Sequence, residues 1–291
     1  MKQKIPTLLL LLSSLSLADV AATSQDMRAF VLPKDTLSMR GAYLLSNDTI
    51  DILNINNKSA LGDSSGVNFN LGYGAQQFFS LYYNFEALNI HYAHSKIKNR
   101  KNELYARVNF YDSPHYSFDD FSMDVGYIHN SADDFNHLSN LSDNSYYLRL
   151  LLGSKFTTAL LNFYTGVKYT AINTTHDASN QDRHEKTLML GTSYTQEFSH
   201  YILDAQYEYL HMFGRGSTLD KTKSNHQINL NLSRTINKDF LIYIGTKVMF
   251  KQFNGTIPYL YNAQTQSDFD KTYILTNLGF VYNFTLSDVS K

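Results

Sequence analysis

Two sets of residues in this 291-residue sequence could do chemistry. The first is charged: Glu103, Arg107, Asp124, Arg149, Lys168, Asp204, Glu208 and Lys247. Each alternates with the apolar residues of its own segment, so in extended chain all eight point to the opposite face. Four acids balance four bases, which predicts no strong ion selectivity. Arg107, Asp124 and Arg149 fall on three successive segments at comparable depth, where they can pair across neighbouring strands. Such a group either lines the constriction of a small pore or fills and stiffens an interior. The second set is His129, Ser131 and Asn144. His129 and Ser131 share the parity of Phe121, Met123, Val125 and Tyr127, while Asn144 shares that of Tyr146, Leu148 and Leu150. Adjacent strands would put these three groups on one apolar outer face.

The elements that must position them are strands. Alternation dominates from about residue 66, with Ile228, Leu230 and Leu232 set against Asn229, Asn231 and Ser233. Many runs reach about 11 to 14 residues, longer than the usual five or six, as strands that cross a bilayer on a tilt must be. Short links near residues 75–77, 112–115, 156–158, 197–199 and 237–238 alternate with longer polar links. The longer ones are expected at 56–65, 96–101, 130–143, 174–184, 214–225 and 254–270. Short periplasmic turns and long extracellular loops alternate in this way in membrane barrels. The count is about twelve strands, the first near residues 37–55, with ten strands and an N-terminal plug as the alternative. A shift of apolar parity at Glu86-Ala87 predicts a β-bulge there.

Composition fits that architecture. The chain has 22 tyrosines and 19 phenylalanines, 14% aromatic residues in all, which suits girdles at two membrane interfaces. Mean hydropathy is nonetheless polar, at −0.32, because only alternate strand residues need be apolar. The net charge of −1 implies no basic surface for nucleic acid. There is no cysteine, hence no disulfide framework or lipid-modified cysteine. Lys2 and Lys4, an apolar run at 8–17 and Ser16-Leu17-Ala18 read as a secretory signal over residues 1–18, with cleavage between 18 and 22. A periplasmic lead-in is expected over 19–36, a barrel over 37–284 and a tail over 285–291. The lead-in is polar, contains proline and is a candidate to enter the lumen.

In the last strand, Thr276, Leu278, Phe280, Tyr282 and Phe284 share one face. This resembles the terminal strand of bacterial outer-membrane barrels, with Leu278, Phe280, Tyr282 and Phe284 as the assembly signal. It implies a Gram-negative outer-membrane location, with lipid and the assembly machinery as partners. A second resemblance is local. Gly126-Tyr127-Ile128-His129-Asn130-Ser131, followed by Asn144, Tyr147, Arg149 and Leu150, resembles the active-site region of outer-membrane phospholipase A. That family is a twelve-stranded barrel with Gly-Tyr-x-His-x-Ser and then Asn-x-x-Tyr-x-Arg-Leu. The resemblance implies Ser131 as nucleophile, His129 as its general base and Asn144 as the group orienting His129. Here Ala132-Asp133 replaces the family's Asn-Gly, and the family's calcium-binding pattern is not evident. Asp133 and Asp134 are the acids near enough to hold such a cation; otherwise no metal or cofactor is expected. Two functions stand at this point. One is a porin-like barrel with a narrow mixed-charge lumen for small solutes or a structural role. The other is a lipid-facing esterase.

Overall fold

The computed structural model describes residues 29–46, 64–92, 95–112, 119–134, 139–176, 179–213, 224–250 and 273–286. They form twelve strands: β1 (Thr36–Ser46), β2 (Ser64–Gln76), β3 (Phe79–Tyr92), β4 (Ser95–Asp112), β5 (Asp120–Asp134) and β6 (Ser139–Lys155), then β7 (Ala159–His176), β8 (Ser179–Phe198), β9 (Tyr201–Phe213), β10 (Ser224–Thr235), β11 (Phe240–Phe250) and β12 (Tyr273–Thr285). Each pairs antiparallel with its sequence neighbours, and β12 returns to β1 to close the barrel. Closure matters because a bilayer offers no water to an unpaired strand edge. Among the described residues no helix is long and apolar enough to cross a membrane; strands do the crossing.

The alternation sorts the two faces. Leu104, Val125, Leu148, Val167, Leu190, Leu230, Ile244 and Leu278 are exposed on the outer wall, the expected lipid-facing side. Tyr43, Tyr127, Tyr146, Tyr169, Tyr194 and Tyr207 add aromatic rings to that surface. Serines, asparagines and charged groups turn inward with several tyrosines.

Four expectations need correction. Residues 96–101 are not a link: β4 starts at Ser95 and pairs with β3 from Tyr92↔Ser95 inward. Likewise β5 and β6 pair as far as Asp133↔Asn140, and β7 and β8 as far as His176↔Ser179, so most of the 130–143 link and most of the 174–184 link are strand. No bulge occurs at Glu86-Ala87, since the β3 register runs unbroken there against both neighbours. Register shifts lie instead between Gly74 and Gln76 and between Asn109 and Tyr111. The parity change arises because apolar Leu88 points inward and is buried, opposite the small Gly66. β1 ends at Ser46, and the rest of the expected first strand lies outside the described residues, as do the signal segment and the 254–270 link.

The lumen is packed. Ala29, Leu32, Tyr82, Tyr105, Tyr147, Leu151, Tyr164, Met189 and Leu210 form one buried cluster. A second joins Ile202, Leu241, Tyr243 and Val281. Residues 29–33 enter at the short-turn end as a strap. The Ala29 amide donates to Asn162 Oδ1 at 3.1 Å, and the Leu32 amide donates to Ser80 Oγ at 2.9 Å. Ser122 Oγ donates to the Ala29 carbonyl, and Arg107 Nη1 to that of Phe30 at 3.3 Å. The strap passes so close to β2 that a Cβ on Gly74 would lie 1.9 Å from the Pro33 carbonyl oxygen. Only glycine fits.

Candidate functional site

His129 lies near the end of β5 remote from the chain termini, directly opposite Asn144 of β6. Both continue the outward parity of Tyr127 and Tyr146, which are exposed. His129 Nδ1 is 3.0 Å from Asn144 Oδ1, and the Tyr127 hydroxyl donates to the same oxygen at 2.6 Å. An amide oxygen only accepts, so Nδ1 carries the imidazole proton and Nε2 keeps its lone pair. Tyr127 holds the amide in turn. Ser131 follows two residues on along the same face, about 6.6 Å further along the strand, and is not hydrogen-bonded to His129. A nucleophile–base contact of this kind is often completed only with substrate bound.

Arg100 of β4 stands directly opposite Ser131, exposed on the outer face. Directly opposed side chains have Cβ atoms about 5 Å apart, so a guanidinium reaches the region above Ser131. Sequence reasoning placed Arg100 in a loop. The run 96–101 has few apolar residues, and without alternation nothing marked it as strand.

Other outward histidines give a comparison. His184, His211 and His226 each bring Nδ1 to a tyrosine hydroxyl, those of Tyr169, Tyr209 and Tyr207 at 2.9, 3.3 and 2.7 Å. These pairs belong to the aromatic belt. His129 differs in meeting an amide oxygen with a serine beside it.

The eight positions of the local resemblance divide between the two faces. Tyr127, His129, Ser131, Asn144 and Leu150 point out. Gly126, Tyr147 and Arg149 point in. Gly126 lies opposite Tyr147, whose ring covers it so tightly that a Cβ there would be 2.3 Å from Tyr147 Cζ. The Tyr147 hydroxyl donates to Glu103 Oε1 at 2.7 Å, and the Arg149 guanidinium stacks 4.8 Å over the Tyr147 ring.

The charged inward residues form connected groups. Arg107 and Asp124 are opposite one another, as are Asp124 and Arg149. Asp124 Oδ1 accepts from Arg107 Nε at 2.7 Å, and Oδ2 accepts from Arg107 Nη2 at 2.9 Å and lies 3.0 Å from Arg149 Nη2. Tyr82 and Tyr105 stack at 4.6 Å beside this group. Glu103 is 3.2 Å from Lys101 Nζ, a partner that the loop assignment concealed. Asp204 accepts from Thr195 at 2.8 Å and Gln206 at 3.0 Å. Glu208 accepts from the Tyr164 hydroxyl. Lys168 and Lys247 are partly buried on the inward face. Arg107 and Asp124 are both wholly buried.

Among the described residues no three His, Asp or Glu side chains converge on a metal position. The side chains of Asp133 and Asp134 lie outside the described set.

No protein-family model matches the sequence, and comparison with curated proteins finds no match. Solved structures do share the architecture. The NanC porin superposes with a TM-score of 0.51 at 12% identity, covering 84% of this chain and 98% of that one. The translocator domain of the autotransporter NalP from Neisseria meningitidis gives 0.50 at 10% identity, covering 86% and 87%. The chain has the fold of a bacterial outer-membrane β-barrel. At these identities the likeness concerns the fold alone. The packed lumen and the outward His129–Asn144 pair are features of this barrel's own side chains.

Proposed function

We propose that this outer-membrane barrel is a phospholipase A-like hydrolase acting on phospholipid esters from its lipid-facing wall. The observation that carries the reading is the hydrogen bond between His129 Nδ1 and Asn144 Oδ1, which leaves Nε2 free to accept a proton. Ser131 Oγ would add to the ester carbonyl as Nε2 takes its proton. Collapse would expel the lysophospholipid alkoxide, which leaves with that proton. Water, deprotonated by the same nitrogen, would then release the fatty acid and restore Ser131. The local resemblance to outer-membrane phospholipase A supports the same roles.

Purified protein in phospholipid vesicles should release fatty acid, and Ser131→Ala and His129→Ala should abolish release while remaining folded. Equal release by wild type and Ser131→Ala would sink the proposal, as would none from either.

A porin-like reading keeps support from the mixed-charge interior. It needs a continuous water path, and the buried Tyr105, Arg107, Asp124 and Leu151 stand against one. Discrete conductance of the wild type in a planar bilayer would restore it. In either case we assign the face bearing Leu278, Phe280, Tyr282 and Phe284 to recognition by the assembly machinery.

A further inference from the structure

Beside the His129–Asn144 pair, the outer wall is indented. A groove of about 590 Å³ crosses β6 to β9, walled on its outward side by Tyr146, Leu148, Val167, Tyr169, Leu188 and Phe213. That volume lies within the ordinary range for ligand sites, about 300 to 1,000 Å³. Its near edge adjoins the candidate site. Tyr146 is opposite Tyr127, their ring centroids 5.2 Å apart, and Tyr127 donates to Asn144. From there the groove runs to Leu148 and Val167, deeper in the apolar belt. Above it Ala171, opposite both Asn144 and His184, leaves its upper edge low.

On the other flank of Ser131 stands an arginine. Arg100 faces Ser131 directly, and Lys98 stands two residues further out on the same face of β4, both exposed. Apolar groove, nucleophile and cation thus lie in sequence across neighbouring strands. We propose that a phospholipid binds across β4 to β8 with its phosphate on Arg100 and one acyl chain in the groove, so that the ester between them meets Ser131. This rests on the hydrolase reading and adds to it a substrate orientation and two binding elements. The occupant follows from the surroundings. An apolar trough on a lipid-facing wall meets acyl chains, and a guanidinium at the polar edge matches a phosphate.

Lys186 also stands on the groove's outward wall. It lies three strands from Ser131, roughly 14 Å at the usual interstrand spacing. The phosphate of a glycerophospholipid is only a few bonds from its ester, so Arg100 is the cation within reach.

Binding can be read without hydrolysis. The sequence has no tryptophan, so Phe213→Trp places a single reporter at the groove and Ile244→Trp a single control on the far wall. Each is reconstituted in vesicles of a neutral, phosphate-free dialkyl glycolipid into which an ether-linked phospholipid with brominated chains is titrated; the bromine quenches tryptophan on contact and the lipid carries no cleavable ester. The expected result is half-quenching of the Phe213→Trp protein at a clearly lower fraction of brominated lipid than in the control. Adding Arg100→Gln should cancel most of that difference, about fivefold for one cation at a lipid surface. Adding Lys186→Gln should leave it intact, and a brominated dialkylglycerol, lacking both phosphate and ester, should show no preference. Identical curves for Phe213→Trp and Ile244→Trp would overturn the groove. Preference lost with Lys186→Gln but not with Arg100→Gln would overturn the phosphate assignment. Neither outcome depends on turnover, so failure here leaves the Ser131→Ala comparison to judge hydrolysis by itself.

Discussion

The Arg107 guanidinium grips the Asp124 carboxylate through two parallel hydrogen bonds, at 2.7 and 2.9 Å, with neither side chain exposed. Arg149 shares the second carboxylate oxygen at 3.0 Å. One acid therefore bridges two bases in the middle of the barrel, and its loss would deprive both guanidinium groups of their shared carboxylate. Removing one partner of a buried pair costs about 3–5 kcal/mol. We expect Asp124→Ala to lower unfolding stability by that amount, measured by urea titration of the reconstituted barrel. Arg149→Met should cost less, because Arg107 still satisfies Asp124. An unchanged midpoint for Asp124→Ala would show that water reaches this layer.

The strap supplies a second prediction. The chain has no cysteine, so Leu32→Cys is a unique probe of a residue buried in the lumen. It should react slowly with thiol reagents while the strap is docked. Gly74→Val would press a side chain into the Pro33 carbonyl. In that background labelling should accelerate on the order of tenfold, as for a local opening eased by about 1.4 kcal/mol. Equal rates would mean that the strap exchanges freely in the native protein.

Asn144 is expected to act through His129 rather than on substrate. Asn144→Ala removes the acceptor that selects the Nδ1–H tautomer, so turnover should fall about 10²–10⁴-fold with KM little changed. Tyr127→Phe leaves the His129 bond in place and loses only the anchor on the amide. The expected loss there is about fivefold, one ordinary hydrogen bond. The ¹⁵N shifts of His129 would distinguish the tautomers directly, and a ring unaltered by Asn144→Ala would remove the positioning role.

Much of the barrel was legible in the sequence because lipid on one side and a packed interior on the other impose a period of two. The outward parity of His129, Ser131 and Asn144 came from that pattern alone. The pattern fails beyond the apolar belt, where both strand faces meet water, and there β4 and β8 continued unseen through residues such as Lys98, Arg100 and Asp182. With β4 extended, Arg100 came to lie opposite Ser131. Leu88 misled for the converse reason, an apolar residue turned inward to pack over Gly66. The strap could be suspected from its composition, but its docking depends on Ser80, Ser122 and Asn162, three small polar residues on separate strands. Nothing in local sequence links them.

The Gly126–Tyr147 pair allows the structural part of the local motif to be separated from the chemical part. Both residues point into the lumen, where the Tyr147 ring occupies the space above Gly126 and its hydroxyl reaches Glu103. Gly126→Ala would force that ring aside, breaking the bond to Glu103 and the stack with Arg149, at about 1–3 kcal/mol for an overpacked interior. Tyr147→Ala would remove the clash, so the two substitutions should be strongly non-additive in a double-mutant cycle. If the motif's inward half serves only the interior, Gly126→Ala should lower the unfolding midpoint while fatty-acid release per folded molecule stays at the wild-type level. A collapse of turnover without loss of stability would instead place Gly126 and Tyr147 in the catalytic apparatus.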